Sequence, residues 1–208
     1  MPEQWSRLLL PLLLVLGAQQ LASAGLIHAK AMLAPQLVAA AWEQTLARGG
    51  EAIKPWPWAD TWPVARLQVP SLKVTRYVLA GDSGNALAFG PGHSLASAAL
   101  GSAGLAVVGG HRDTHFAFLR ELRSGQRITL ELPGGQIREY RVTDARVVDA
   151  SRSSIDARGD RERLLLVTCY PFDAVFSRGP LRYVISAEPV SEPSAAIAKL
   201  YSPPRITL

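Results

Sequence analysis

A closed or nearly closed β-barrel is the fold this sequence predicts, on three observations. Seven short β-rich runs, several alternating apolar and polar, are separated by Gly, Pro, Asp or Ser. The 15 prolines and 17 glycines are spread along the chain, which suits strands joined by tight turns. Helical periodicity within this part is brief, so the fold class is mainly β with short helices. A chain of 208 residues that is 48% hydrophobic can bury one domain's core after an N-terminal apolar segment is set aside.

That segment comes first. Leu8 to Leu16, LLLPLLLVL, follows Arg7 and the free amine, the layout of a charged n-region and an apolar h-region, so export is expected. Small and apolar residues continue to Ile27, interrupted by Gln19 and Gln20, and the span matches the roughly 20 residues of a bilayer helix. Ala22-Ser23-Ala24 has the form of a signal peptidase site, so both a cleaved signal and an uncleaved anchor over residues 1–28 fit. The anchor is carried forward here. From Ala29 to Arg48, Met32, Leu33, Leu37, Val38, Ala41, Trp42 and Leu46 recur at helical steps and Gly49-Gly50 ends the run. An amphipathic stalk helix, kinked or started near Pro35, is predicted, packing on the domain that follows. Lys54-Pro-Trp-Pro-Trp-Ala-Asp-Thr-Trp-Pro63 forbids a helix and reads as a stiff linker, so 29–62 is stalk and linker.

The folded part spans 63–190, with a tail over 191–208. Its expected strands are Val64 to Val69, Lys73 to Leu79, Gly104 to Gly109, Arg127 to Leu132, Glu139 to Val148, Arg163 to Thr168 and Leu181 to Ala187. Pro133-Gly134-Gly135 marks a hairpin between the fourth and fifth, glycine supplying the positive φ such turns need. Phe116, Leu119 and Leu122 predict a short helix.

Charge narrows the partners. The net charge of +5 suits an acidic partner. Yet basic residues are scattered among acids, as in Arg158-Gly-Asp160-Arg-Glu-Arg163, which is the pattern of a solvated surface. No nucleic-acid partner is expected. One cysteine and four histidines offer no metal spacing beyond His111 and His115, a pair lacking the intervening Glu of a helical zinc motif. No metal or other cofactor is expected.

The single cysteine of an exported chain is a buried thiol, an intermolecular link or a reactive group. Cys169 ends the hydrophobic strand Leu164-Leu-Leu-Val167 and precedes Tyr170-Pro171, and His111 ends Leu105-Ala-Val-Val-Gly-Gly110. Each alone reads more readily as inert than as catalytic. Together, at two strand ends, they can meet at one rim. Arg182 opens the next strand, and would overhang the thiol if its strand pairs with that of Cys169. A thiolate attacks an amide carbonyl to give a thioester, a histidine protonates the leaving amine, and a guanidinium holds an oxyanion or the substrate backbone.

At these residues the chain resembles the sortases, β-barrel cysteine transpeptidases with a Thr-Leu-x-Thr-Cys strand end, an earlier histidine and a later arginine. Here the strand end reads Leu165-Leu166-Val167-Thr168-Cys169, with Leu165 in place of the first threonine. Gly110-His111-Arg112-Asp113-Thr114 looks like the family's Gly-His-Arg loop, and Arg182 lies thirteen residues after the cysteine. Phe89-Gly-Pro-Gly-His93, the Pro/Trp linker and Val167-Thr-Cys-Tyr-Pro-Phe172 look like the Gram-negative, marine proteobacterial type called class GN. The resemblance implies a barrel of about eight strands behind an N-terminal transmembrane or stalk helix. It implies an inner-membrane protein with a periplasmic catalytic domain, cleaving an LPXTG-like C-terminal sorting signal of a partner protein through a thioester on Cys169. The product passes to an amine of unknown identity or to water.

Supporting roles follow. His115, four residues on, competes with His111 as the acid/base. Asp113 orients His111 or caps a turn. His93 anchors a loop near the site or touches substrate, Arg178 is a rim residue, and Thr168 sits beneath the nucleophile. Two other readings stay open: a sortase-like module that only binds peptide, and a structural periplasmic barrel.

Overall fold

A computed structural model of the chain describes residues 2–153, 160–174 and 179–190, and within its first helix the side chains at 11–23, 25 and from 32 onward. Arg178 and the tail 191–208 lie outside the described residues. Helix α1 (Pro2–Ala47) is followed by β1 (Pro63–Val69), β2 (Val74–Ala80), the one-turn helix α2 (Gly84–Leu87), β3 (Gly92–His93), β4 (Leu105–Gly109), β5 (Arg127–Glu131), β6 (Ile137–Asp149), β7 (Arg163–Cys169) and β8 (Leu181–Pro189). The strands close into a barrel in the order β1-β2-β3-β4-β7-β8-β6-β5.

All seven expected strands form, within two residues of the expected ends. The eighth, β3, has only two residues, too few for any periodicity to register. It pairs parallel to β2 and antiparallel to β4, and so fills the gap between them. Gly134 and Gly135 turn the β5–β6 hairpin at φ 91° and 81°, the left-handed region their lack of Cβ permits. The periodicity at Phe116, Leu119 and Leu122 resolves into a turn of 3₁₀ helix, Ala117–Arg120, that plugs the barrel with Phe118 and Leu119.

Strand alternation divides the apolar residues between two faces. Leu67, Val69, Val78, Val108, Ile128, Leu130, Leu164, Leu166 and Ile185 point inward and are fully buried. A second apolar cluster, Leu105, Leu165 and Val184 with Val107, Val148 and Val167, lies on the outward face of β4, β7, β8 and β6. The parallel β4–β7 pair is therefore apolar on both faces, which is why Leu-Ala-Val-Val and Leu-Leu-Leu-Val read as unbroken runs.

Ahead of the barrel a single helix, α1, runs through Pro11 and Pro35 and includes the expected stalk. Among the described residues no helix is long and apolar enough to cross a membrane. The stalk does pack on the barrel, but with Ala34, Val38, Ala41, Trp42 and Thr45, spaced on one face, while Met32, Leu33 and Leu37 stay exposed. Trp42 is fully buried against Tyr77, and its indole N–H donates to Glu131 Oε2 at 3.2 Å, the oxygen that pairs with Arg66 Nε at 2.8 Å. The Pro/Trp segment wraps β2: Trp56 meets Phe89 edge-on at 4.9 Å, and Thr61 Oγ1 donates to the Ala80 carbonyl.

Candidate active site

The site forms where β4 and β7 end and β8 begins. Cys169 and Arg182 are direct register partners. One step further along, Tyr170 N–H donates to the Leu181 carbonyl, so that pair is hydrogen-bonded and the Cys169–Arg182 pair is of the close, non-hydrogen-bonded kind. Their side chains share one face. It is the outward face, since Leu164, Leu166 and Thr168 turn inward and Leu165, Val167 and Cys169 alternate with them.

His111 reaches the same row from the other side. The last parallel pair is Gly109 with Val167, and the register is kept beyond it by Gly110 N–H bonding Val167 O at 3.1 Å and Thr168 Oγ1 donating to Gly110 O at 2.7 Å. Two residues past Gly109 is His111, and two past Val167 is Cys169. Continuing that register past the end of β4 puts His111 in a row with Cys169 and Arg182, with the imidazole exposed and the other two half-buried. No hydrogen bond joins thiol and imidazole among the described residues, a spacing that commonly tightens only around substrate. Arg182 is held by Nη1, which donates to Gly179 O at 2.7 Å and Leu181 O at 2.9 Å. Among the described residues nothing bonds its Nε or Nη2, which leaves those donors of the planar fork available.

The two glycines before His111 have different duties. A Cβ on Gly110 would stand 2.8 Å from the Phe116 ring, so Phe116 packs onto that backbone and seats the loop. A Cβ on Gly109 would meet nothing within 4 Å. Gly109 instead leaves the outward seam open beside the row, next to half-buried Val167.

The other candidates separate. Thr168 is 2% exposed and serves as the latch to Gly110, inside the barrel and away from the thiol's face. Asp113 is exposed and, among the described residues, makes no hydrogen bond to His111, which favours the turn-capping alternative over the orienting one. His115 does not take the His111 position: it is half-buried and its carbonyl accepts from Arg76 Nε at 3.3 Å. Burial and the Arg76 guanidinium hold its pKa below the usual histidine range, opposed by a bond to the Ala88 backbone. His93 is a buried loop pin, Nε2 donating to Ala98 O at 2.9 Å, and its register partner Val108 faces the barrel interior, not the outward seam. Arg112, which sequence reasoning passed over, is 6% exposed and donates from Nη2 to Ala174 O at 2.6 Å. The signal for it was its place inside the Gly-His-Arg motif. A separate cleft of about 360 Å³, lined by Asp60, Trp62, Asp82, Ser94 and Leu95, opens beside β2 and takes no residue from the row. Among the described residues no three His, Cys, Asp or Glu side chains are placed to hold a metal.

The sortase-domain family model matches residues 67–190, which contain the whole row. This chain belongs to the sortase family. Sortase D of Bacillus subtilis (strain 168) is 32% identical over 126 residues, covering 60% of this chain and 63% of that protein, so the match spans under two thirds of the relative's length. Among solved structures, a Clostridium perfringens sortase D5 transpeptidase superposes with a TM-score of 0.59 at 18% identity, covering 76% of this sortase and 96% of that chain. Sortase A from Corynebacterium diphtheriae gives 0.57 at 20% identity, over 78% and 87% of the two chains. At such identities the superpositions speak for the fold, and this sortase has the barrel that they share.

Proposed function

We propose that this sortase is a cysteine transpeptidase acting on an LPXTG-like sorting signal of a partner protein. What supports the reading is the pairing of Cys169 with Arg182 at the end of β7, with His111 two residues past the end of the neighbouring β4. In this mechanism the thiol passes its proton to His111 and the sulfur attacks the carbonyl carbon of the Thr–Gly bond. The tetrahedral oxyanion is met by Arg182 donors. His111 returns the proton to the departing glycine amine, leaving a thioester on Cys169. An amine, or water, then loses its proton to His111 as it attacks, and the thiol is regenerated. On the outward face, half-buried Val107 and Val167 give apolar side chains of the signal a place to pack beside the thiol.

The finer assignment follows the same sequence features. The Pro/Trp linker and the Phe89-Gly-Pro-Gly-His93 stretch favour the Gram-negative, class GN type. Leu12 to Leu16 are all exposed on α1, and with Arg7 before them they favour association with the inner membrane and a periplasmic catalytic domain.

Incubating the full chain with a Leu-Pro-x-Thr-Gly peptide and a small amine tests the reaction. Cleavage is expected, with a Cys169-linked acyl species visible by mass spectrometry. Undiminished cleavage by Cys169→Ala would sink the mechanism, and binding without cleavage would leave a peptide-binding module. Recovery in the soluble fraction of expressing cells would remove the membrane assignment alone.

A further inference from the structure

Arg112 sits between His111 and Asp113, both exposed, yet is itself 6% exposed. Its guanidinium has been taken out of water at a free-energy cost that only well-placed acceptors offset. One acceptor is the Ala174 carbonyl, 2.6 Å from Nη2 and 62 residues away in sequence. Ala174 closes the turn that opens after Cys169, its N–H reaching back to Pro171 O at 3.5 Å. Phe172 in that turn packs edge-on against Tyr183 at 5.2 Å, and exposed Arg120 lies over its ring at 5.7 Å.

The segments carrying imidazole and thiol are therefore stitched together on both sides of the row. Thr168 bonds Gly110 just before it, and Arg112 bonds the turn just after it. The first stitch fixes strand register. The second fixes where the chain goes once the strands have ended, which is where His111 has no β-ladder left to hold it. A planar fork suits this task better than an ammonium, because its donors keep fixed directions.

We infer that Arg112 is a positioning residue for the transpeptidation, setting His111 against Cys169 by clamping the turn that follows the cysteine. The inference rests on the reaction proposed above. Among the described residues its bond goes to the turn after Cys169 and not to the outward face where peptide would lie, so its signature is a loss of turnover without a loss of substrate affinity. A displacement of about 1 Å between reacting groups costs on the order of 100-fold.

The test compares the full-length wild type with Arg112→Lys and Arg112→Gln, using a Leu-Pro-x-Thr-Gly peptide and thermal unfolding of each protein. Expected is a kcat lowered roughly 10-fold or more in Arg112→Lys and further in Arg112→Gln, with KM within about twofold. Both variants should be folded at the assay temperature. Wild-type kcat in either folded variant overturns the inference. So does a rise in KM that accounts for the loss, and so does failure of both variants to fold, which would make Arg112 a stability residue. An inactive wild type would bring down the transpeptidase reading itself, an outcome distinct from an active wild type with active variants.

Discussion

The two faces of β7 are made from similar residues and do different work. Leu164, Leu166 and Thr168 enter the barrel interior and are each at most 2% exposed, while Leu165, Val167 and Cys169 face outward, the last two half-buried. Inward, apolar area removed from water supplies stability. Outward, the same kind of residue forms an apolar track ending at a thiol. A strand apolar on both faces therefore carries a second, smaller apolar cluster, whose half-buried end lies at the thiol.

Adjacent substitutions can break this comparison, and the largest contrast lies at the strand end. Cys169→Ala should lower peptide cleavage by about 10³-fold or more with the melting temperature within about 2 °C of wild type. Thr168→Val, one residue earlier and facing inward, should instead cost about 1–3 kcal/mol by leaving the Gly110 carbonyl unpaired, read from the denaturant midpoint. Equal destabilisation by both would show that the faces are not distinct. One turn of the pleat back, Leu166→Ala should lose about 2–5 kcal/mol of stability, and outward Val167→Ala about 1 kcal/mol or less with a raised peptide KM.

The paired glycines sharpen the point at smaller scale. Gly110→Ala forces a methyl into the Phe116 ring and should destabilise by about 1–3 kcal/mol. Gly109→Val meets open space, so unfolding should stay near wild type while KM rises several-fold as the seam fills. A stable Gly110→Ala protein would put the seating of the His111 loop in doubt.

The smallest effect is a pH dependence. His115 has its pKa held below the ordinary 6.5 in the folded protein, by burial first and then by Arg76. The unfolded chain then binds the proton more readily, so this stability contribution is whole above about pH 6.5 and is lost as pH falls through the folded value. Replacing His115 with Gln should flatten that part of the melting-temperature profile between pH 8 and pH 5. A wild type that instead gains stability toward acid would reverse the sign assigned to its surroundings.

Much of this was legible beforehand, unevenly and for physical reasons. The seven longer strands announced themselves because glycine and proline punctuate them and β-branched residues fill them. Two-residue β3 has no periodicity of its own and exists because β2 and β4 present unpaired backbone on either side. The helix is legible from Ala29 onward, and Val38, Ala41 and Trp42 of its expected stripe dock, but Met32, Leu33 and Leu37, more hydrophobic than Ala34 and Thr45, stay exposed while the latter are buried. Close approach to the barrel favours small side chains around Trp42, and hydropathy does not record how near a helix will lie.

The same division runs through the site. That Cys169, His111 and Arg182 stand at strand boundaries follows from local composition, because apolar runs and breakers act within a few residues. That they form one row is a matter of register between strands 58 and 13 residues apart, set by the pairing of β4 with β7 and β7 with β8. The burial of Arg112 belongs wholly to that assembly. An arginine beside exposed neighbours looks like a surface charge until the turn after the cysteine folds over it, and only long-range contacts can bring that turn there.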